Sequence, residues 1–249
     1  MKKFRVILIF MISMMSFQMA WPQSTSEATY VIVHGAWGGG WAFKKVDSLL
    51  TATGSMVYRP TLTGQGERVH LASLEVGLDT HITDIVNTVL YEELDNIILV
   101  GHSYGGMVIT GVADSIPERI SKLIYIDAFV PENNESVGSI TGNRNFKAVN
   151  GHIVPPWVKE GTLPPKDVPH PLKTWTDRIS LKNPKRLELA TTYILTVDKG
   201  QDPEKDGFAR QAKRAEKKGW TMLQLEADHN AQWSAPEAFV KMLKDIEAK

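Results

Sequence analysis

The sequence predicts an α/β fold in which a mainly parallel sheet is flanked by helices. Short runs of β-branched and aromatic residues alternate with segments of helical spacing over residues 28–131, and the alternation resumes over residues 184–249. The apolar runs are continuous rather than interrupted by polar residues, which is typical of strands buried on both faces of a parallel sheet. The length of 249 residues suits one such domain with a modest insertion.

Strands and helices can be placed along both of these segments. Strands are predicted at residues 28–34, 56–58, 96–100, 120–126, 191–197 and 220–225. Apolar residues spaced three and four apart predict helices at residues 41–53, 79–90, 107–115, 208–218 and 236–246. Because strand and helix alternate strictly, this order predicts a parallel sheet wound with helices.

Residues 132–183 interrupt the alternation and are predicted to form a cap insertion in the core. Seven of the 13 prolines lie between Pro155 and Pro184, together with Trp157 and Trp175, and the stretch shows neither helical nor strand periodicity. An irregular segment of that length inside a compact domain is usually a functional lid or insertion.

Residues 1–24 have the layout of a secretory signal peptide. A basic start (residues 1–5) precedes an almost wholly apolar run (residues 6–17), and a polar stretch follows. The apolar run is short for a membrane span, although an uncleaved N-terminal anchor is the alternative. We therefore expect cleavage between Ala20 and Ser26, export to the periplasm or the medium, and no stable membrane insertion after processing.

Composition and charge argue against several classes of partner. The 28 basic and 28 acidic side chains give a formal net charge of zero, so neither nucleic acid nor an anionic membrane is an expected partner. The chain has no cysteine and therefore no disulfide. The glycine-rich loop at residues 34–40 lacks the Lys-Ser or Lys-Thr of a phosphate cradle. We expect no cofactor and no metal ion, and the oligomeric state stays open.

Residues 101–105, Gly-His-Ser-Tyr-Gly, match the pattern G-x-S-x-G. The match follows a predicted buried strand and precedes a predicted helix, which is the setting of a nucleophile elbow. In such an elbow the sharp turn strains the backbone of the serine, and the flanking glycines remove Cβ atoms that would clash with neighbouring elements. Ser103 is therefore the candidate nucleophile. The alternative is a glycine-rich turn that only packs the helix on the strand.

A serine hydroxyl needs a base to take its proton before it can act as a nucleophile. In the chain order serine, acid, histidine, the base follows the last strand of the sheet. His229 stands at that place, between the last predicted strand and the closing helix. The other histidines precede the serine, flank glycines or lie in the insertion, so His229 is the candidate base.

Two aspartates are candidates for the acid that orients the histidine. Asp127 ends the fourth predicted strand and Asp198 ends the fifth, so both lie at the carboxyl edge of the sheet, where active sites of open α/β folds gather. The usual position of the acid favours Asp198. Asp127, however, lies between an apolar strand and Ala-Phe-Val, so we expect it to be buried and in need of a partner such as an imidazolium. We favour Asp127 and keep Asp198 as the alternative.

Two backbone N–H groups are candidates for stabilising a developing oxyanion. One belongs to Tyr104, directly after the candidate nucleophile. The other belongs to Ala36, in the loop after the first strand, where Gly35 permits close approach. Four residues are candidates for substrate binding, with core packing as the alternative for the tryptophans: Gly35, Trp37, Trp157 and Trp175.

Four stretches of the sequence resemble those of known proteins, at residues 34–41, 61–68, 101–107 and 125–131. They are similar to a group of bacterial α/β-fold esterases, and to the plant methylesterase and hydroxynitrile lyase family, over nearly all of residues 28–249. The resemblance implies an α/β-hydrolase fold with a six-stranded parallel core and a small cap. It also implies a Ser–His–acid triad that hydrolyses small-molecule carboxylic esters through an acyl-enzyme intermediate.

Departures from these families narrow the expected activity. Hydroxynitrile lyases carry a Lys after the catalytic His and a Thr after the first-strand His, where this sequence has Asn230 and Gly35. A lyase with this sequence would therefore lack the lysine charge that stabilises the cyanide leaving group. Haloalkane dehalogenases place their acid where Asp127 stands, which supports Asp127 by analogy, but their nucleophile is Asp rather than Ser.

Two further expectations concern the substrate and the kind of function. Some exported members of the bacterial group resemble macrolide esterases, so a large apolar ester or a macrocyclic lactone is a candidate substrate. A ligand receptor on the hydrolase fold, with a triad that turns over little, is the non-catalytic alternative, and a hydroxynitrile lyase-like enzyme is the second catalytic one.

Overall fold

A six-stranded sheet forms the centre of the structure, a computed structural model that describes residues 28–143 and 146–249. The predicted signal peptide, residues 1–24, lies outside the described residues. The strands, in chain order, are β1 (Thr29–Val33), β2 (Met56–Tyr58), β3 (Ile97–His102), β4 (Ile120–Ile126), β5 (Ala148–Val149), β6 (His152–Ile153), β7 (His170–Pro171), β8 (Ala190–Val197) and β9 (Thr221–Glu226). The α-helices, in chain order, are α1 (Lys44–Thr51), α2 (Leu78–Tyr91), α3 (Gly105–Ser115), α4 (Val137–Thr141), α5 (Lys173–Thr176), α6 (Ala209–Lys217), α7 (Ala231–Ser234) and α8 (Pro236–Glu247).

The central sheet has the strand order β2-β1-β3-β4-β8-β9, and every pairing within it is parallel. The predicted parallel six-stranded sheet flanked by helices is confirmed. The chain leaves β1 towards β2 on one side and continues to β3 on the other, so the strand order reverses between β1 and β3. Ligands of open α/β sheets bind at such a switch point. The register pairs Val33 with Gly101, which brings the loops after β1 and β3 side by side.

Two hydrophobic cores cover the two faces of the sheet. On one face, helices α2, α3 and α6 pack against side chains that include Val31 and Leu99. On the other face, α1 and α8 pack against side chains that include Ile32 and Val100. Successive residues of one strand face opposite cores because side chains alternate across a strand. Every residue of β1 and β3 is buried, which explains why their sequences are mainly apolar.

The chain between β4 and β8 departs from this architecture and contains the stretch predicted to be a cap, residues 132–183. It holds the short helices α4 and α5 and a small antiparallel sheet, β5-β6-β7, with two residues in each strand. The Val168 N–H donates to the Trp37 carbonyl at 2.9 Å, and the Trp37 indole N–H donates to the Ile153 carbonyl at 2.9 Å. These bonds fix the stretch to the loop after β1. We refer to residues 132–183 as the cap, and the exact boundaries stay a prediction.

Within the part of the chain that the structure describes, no helix combines the length and apolar character that crossing a bilayer requires.

Candidate active site

Ser103 lies on the tight bend between β3 and α3. Its φ of 54° is in the left-handed region, where a residue with a side chain is strained. The bend requires glycine beside the serine, because a Cβ atom on Gly105 would lie 2.6 Å from the Val33 carbonyl oxygen. The Ser103 backbone is held by its N–H to the Ile126 carbonyl at 3.2 Å and by its carbonyl, which accepts from the Phe129 N–H at 3.0 Å. The serine hydroxyl is thereby presented at the carboxyl edge of the sheet.

His229 lies in the turn after β9 and faces Ser103. The distance from the His229 Nε2 atom to the Ser103 Oγ atom is 3.0 Å. The His229 ring stacks on Phe208 with a centroid separation of 4.9 Å and an interplanar angle of 11°. The His102 Nε2–H donates to the His229 carbonyl at 2.8 Å, which fixes the backbone of the turn. Burial lowers the pKa of His102 to about 3, so this donor ring stays neutral.

Asp127 completes a continuous hydrogen-bond chain. Its Oδ2 atom lies 2.6 Å from the His229 Nδ1 atom, and its Oδ1 atom accepts from the Thr196 N–H at 3.3 Å. Because a carboxylate only accepts, Nδ1 carries the proton and Nε2 is left as the acceptor for the Ser103 hydroxyl. Asp127 is 1% exposed and has a φ of 44° at the end of β4. Burial raises the pKa of Asp127, and the hydrogen bond from His229 works against that rise.

Asp198, the alternative acid, is not part of this chain of contacts. It follows β8 as Asp127 follows β4, but it is exposed to solvent. Its backbone carbonyl accepts from the Gln201 N–H at 2.9 Å, which closes a surface turn. The carboxylate that bonds His229 therefore belongs to Asp127.

The loop after β1 approaches the serine closely. A Cβ atom on Gly35 would lie 3.0 Å from the Ser103 Cβ atom, so this approach requires glycine. The His34 Nδ1–H donates to the Gly35 carbonyl at 2.7 Å, and its Nε2 accepts from the Leu62 N–H at 3.1 Å. Burial lowers the pKa of His34 to about 4, so the ring is neutral and can keep both roles. The Gly35 carbonyl shares its peptide plane with the Ala36 N–H, and His34 therefore sets the direction of that N–H.

The two predicted oxyanion donors are available for a ligand. Within residues 28–143 and 146–249, the backbone N–H groups of Ala36 and Tyr104 donate to no protein acceptor. Tyr104 is anchored below the site, because its hydroxyl lies 3.0 Å from His81 Nδ1 while His81 Nε2–H donates to the Thr63 carbonyl at 2.9 Å. Burial lowers the pKa of His81 to about 4.

A cleft of about 400 Å³ opens above Ser103, between the edge of the sheet and the cap. The residues that line it come from the loops after β1 and β3, from the cap and from the turn at α7: His34, Gly35, Ala36, Trp37, Gly38, Ala42, Phe43, His102, Ser103, Trp157, Asp167, His229, Asn230, Gln232 and Trp233. Three of the predicted substrate-binding residues, Gly35, Trp37 and Trp157, are among them. Trp175 is not, because it packs behind Trp37 at a centroid distance of 5.4 Å.

Sequence reasoning missed several residues that line this cleft, of which Trp233 and Asp167 have large or charged side chains. Trp233 is 50% exposed and stacks on Trp41 at 5.7 Å. It stands four residues after His229, one helical turn away, and that spacing could have placed it beside the site. Asp167 accepts from the Trp157 indole N–H at 2.7 Å. No sequence signal pointed to Asp167, since the cap has no periodicity.

In the described ranges, no group of three or more His, Cys, Asp or Glu side chains is arranged to hold a metal ion.

Residues 30–242 match the sequence profile of the alpha/beta hydrolase family. The chain belongs to this family. The match spans the sheet from β1 to β9, so it includes the serine, the aspartate and the histidine described above.

Curated relatives of this chain match shorter segments. The chain is 54% identical over 110 residues to the carbendazim hydrolyzing esterase of Nocardioides sp. (strain SG-4G), which is 44% of this chain and 46% of that protein. It is 31% identical over 118 residues to Methylesterase 2 of Arabidopsis thaliana, 43% of this chain and 41% of that protein. Identity to the alpha-hydroxynitrile lyase of the same plant is 31% over 104 residues, 41% of this chain and 40% of that protein. The expected similarity to esterases and to the methylesterase and hydroxynitrile lyase proteins is confirmed, although each match spans less than half of the relative.

Solved structures show the same fold over most of the chain. An extracellular alpha/beta-hydrolase from a Paenibacillus species has a TM-score of 0.73 at 22% identity, covering 88% of this chain and 98% of that one. A methylesterase from Arabidopsis has a TM-score of 0.71 at 23% identity, covering 89% of this chain and 99% of that one. The predicted α/β-hydrolase fold is therefore confirmed.

Proposed function

We propose that this hydrolase cleaves carboxylic esters through an acyl-enzyme intermediate on Ser103. The observation that carries the proposal is the unbroken hydrogen-bond chain from the Asp127 carboxylate through the His229 imidazole to the Ser103 hydroxyl, with distances of 2.6 and 3.0 Å. The chain ends at a cleft large enough for a small-molecule substrate. This is the arrangement that makes a hydroxyl nucleophilic near neutral pH.

In the acylation step, His229 Nε2 takes the hydroxyl proton while the Ser103 Oγ electron pair forms a bond to the ester carbonyl carbon. The carbonyl π electrons move onto oxygen and give a tetrahedral oxyanion. As the oxyanion collapses, the carbon–oxygen bond to the alcohol breaks, and His229 returns its proton to the leaving oxygen. Water then repeats the sequence at the acyl carbon and releases the acid. Asp127 orients the imidazole and stabilises its cation without taking the proton.

The backbone N–H groups of Ala36 and Tyr104 supply the charge stabilisation for the oxyanion. Both are without a protein acceptor in the described part of the chain. The Tyr104 N–H follows the nucleophile directly, as an oxyanion donor of a nucleophile elbow should. His34 fixes the peptide plane that carries the Ala36 N–H, so this donor is oriented before substrate binds.

The relatives support an ester substrate with an aromatic or bulky apolar part. One is named as an esterase that hydrolyses carbendazim, another as a methylesterase and a third, from Sphingobium wenxiniae, as a pyrethroid hydrolase with 35% identity over 100 residues. The aromatic walls Trp37, Trp157 and Trp233 fit such a group. A macrocyclic lactone stays a candidate within this class, because Trp157 and Trp233, two of the residues that line the cleft, are themselves half exposed to solvent.

The nucleophile is tested with p-nitrophenyl acetate and two serine variants. The wild-type protein is expected to show a burst followed by steady turnover, whereas Ser103→Ala should lose at least about 10³-fold in kcat. Ser73→Ala removes an exposed hydroxyl away from the cleft and should leave turnover unchanged. Turnover retained by Ser103→Ala would overturn the proposal. A burst without steady turnover would favour a receptor over an enzyme.

A panel of short-acyl, methyl-aromatic and macrocyclic lactone esters then ranks the substrates. We expect the methyl-aromatic esters to have the highest kcat/KM, since three tryptophans, Trp37, Trp157 and Trp233, line the cleft and offer apolar surface to an aromatic ring. A higher value for the lactone would move the substrate class to macrocycles.

We also propose that residues 1–24 direct export. The basic start and the short apolar run support it. Expression of the full chain in a bacterial host, followed by N-terminal sequencing, should give a mature protein in the periplasm or medium that begins between Trp21 and Ser26. A cytoplasmic protein that keeps residue 1 would refute it.

A further inference from the structure

The cleft carries an uneven distribution of charge. Among the residues that line it in the described part of the chain, Asp167 is the one acidic residue, and there is no Lys or Arg. The histidines His34 and His102 are neutral, because burial lowers their pKa to about 4 and about 3 respectively. A group that enters the cleft therefore meets one carboxylate and no Lys or Arg side chain.

The Asp167 carboxylate is held in place with one oxygen left for a ligand. Its Oδ2 atom accepts from the Trp157 indole N–H at 2.7 Å. Its Oδ1 atom lies 3.9 Å from the point where a Cβ atom on Gly38 would stand, on the wall of the cleft. In the described ranges, Oδ1 has no hydrogen-bond partner and Asp167 has no ion pair. The next residue, Val168, donates its N–H to the Trp37 carbonyl, which ties this carboxylate to the loop beside Ser103.

Two tryptophans, Trp37 and Trp157, line the cleft together with this carboxylate. Trp157 is 57% exposed and meets Trp37 edge to face, with ring centroids 5.1 Å apart. Trp37 is itself fixed, because its indole N–H donates to the Ile153 carbonyl and its backbone N–H lies 3.2 Å from His170 Nδ1. A carboxylate beside tryptophan rings attracts a positively charged nitrogen in two ways, through the opposite charge and through the negative faces of the rings.

We propose that Asp167, together with Trp37 and Trp157, selects ester substrates that carry a positively charged nitrogen. This inference rests on the proposed ester hydrolysis at Ser103 and names the substrate class within it. The three residues bind a part of the substrate remote from the reacting carbonyl. They therefore act on binding, and their effect falls mainly on KM rather than on kcat.

The test uses pairs of esters that differ only in the charge of one atom. Acetylcholine and 3,3-dimethylbutyl acetate place the cation or its neutral isostere in the alcohol part. Ethyl 4-(trimethylammonio)butanoate and ethyl 5,5-dimethylhexanoate place it in the acyl part. For at least one pair we expect the wild-type protein to prefer the cation. In Asp167→Asn, kcat/KM for that cationic ester should fall about 10-fold, because KM rises while kcat stays nearly constant. The kcat/KM for the neutral ester should change by less than about twofold.

Two further variants serve as a control and as a second test of this result. Glu160→Gln removes the same charge from an exposed position of the cap that does not line the cleft, and it should leave the preference unchanged. Trp157→Phe keeps an aromatic ring but removes the N–H that orients Asp167, and it should lose part of the preference. The neutral ester reports whether each variant is folded. An unchanged cation preference in Asp167→Asn, or an equal loss in Glu160→Gln, would overturn the proposal.

A binding measurement separates this proposal from the proposed hydrolysis. Tryptophan fluorescence of Ser103→Ala is titrated with choline and with its neutral isostere 3,3-dimethylbutan-1-ol. Choline should bind more tightly, and Asp167→Asn in the same background should remove the difference. Equal binding of the two alcohols, together with hydrolysis of neutral esters by the wild-type protein, would refute the cation site and leave the hydrolase intact. Preferential choline binding without any ester turnover would refute only the hydrolysis.

Discussion

The carboxyl edge of the sheet and the cap hold their side chains by different physical means. At the edge, Ser103 and Asp127 stand at positive φ directly after β3 and β4, and the backbone N–H of each donates to a carbonyl of the neighbouring strand, Ile126 and Ile194 respectively. In the cap, strands of two residues form few backbone hydrogen bonds. Trp157 and Asp167 are held by a hydrogen bond between their own side chains. In the proposed function, the edge sets the reaction through backbone geometry, whereas the cap sets the substrate through side chains on irregular segments.

The largest expected effect contrasts the two aspartates that end neighbouring strands of the sheet. Asp127→Asn should lower kcat about 10⁴-fold, because the amide can no longer hold the His229 tautomer and its cation. Asp198→Asn should leave kcat within about twofold, since its exposed side chain has no contact with the site. Steady-state kinetics on one neutral ester measures both. A strong loss in Asp198→Asn would mean that the acid has been assigned to the wrong strand.

The next effect compares glycines of the elbow and the cap. A Cβ atom on Gly106 would lie 2.2 Å from the Phe129 carbonyl oxygen, so Gly106→Ala should lower the free energy of unfolding by about 3 kcal/mol or more. Gly161 in the cap has a φ of 78° and open space around it, so Gly161→Ala should cost only about 1 kcal/mol of backbone strain. Gly207→Ala, with neither clash nor positive φ, serves as the control.

Urea unfolding of the three glycine variants gives the measurement. Equal losses at Gly106 and Gly161 would show that the elbow is not packed more tightly than the cap.

A smaller effect separates binding from chemistry. Trp157→Ala removes a wall of the cap while the triad contacts stay intact, so KM for an aromatic ester should rise about 10-fold with kcat nearly unchanged. Leu163→Ala removes a cap side chain that is 81% exposed and does not line the cleft, and it should alter neither constant. If Trp157→Ala lowered kcat without changing KM, Trp157 would contribute to the chemical step rather than to substrate binding, which would contradict this prediction.

The smallest effect concerns the buried histidine beneath the elbow. The pKa of His81 is lowered to about 4 in the folded protein, from an ordinary value of 6.5. Below about pH 6.5 the unfolded chain therefore takes up a proton that the folded protein does not, and stability is lost as the pH falls towards about 4. In His81→Gln, the slope of the free energy of unfolding against pH should flatten by about 1.4 kcal/mol per pH unit in this range. Urea unfolding of both proteins at about pH 7, 6 and 5 tests this, and parallel curves would contradict it.

The core could be predicted from the sequence because burial and backbone geometry restrict which residue types occur at its positions. The strands predicted at residues 56–58 and 120–126 match β2 and β4 residue for residue. Asp127 is buried, as its apolar neighbours indicate, and Asp198 is exposed. Helix α3 begins at Gly105 rather than at the predicted residue 107, because glycine is needed there for close packing on Val33 rather than to break the helix.

The cap could not be predicted in the same way. Its functional contacts join residues far apart in the chain, such as Trp37 with Ile153, and no period in the sequence reports them. Trp157 and Trp175 were equivalent candidates by composition, yet the packing of Phe146 and Trp37 around Trp175 keeps it out of the cleft while Trp157 lines it. A side chain's place in such a segment depends on tertiary contacts alone.

The most direct test of the triad is to find where a fluorophosphonate probe attaches. The probe reacts with a serine only when a base activates it, so peptide mass spectrometry reports both the nucleophile and its activation. We expect a single adduct on the peptide that contains Ser103, no adduct in Ser103→Ala, and much slower labelling in His229→Ala. An adduct on another residue, or undiminished labelling of His229→Ala, would contradict the assignment of the serine and its base.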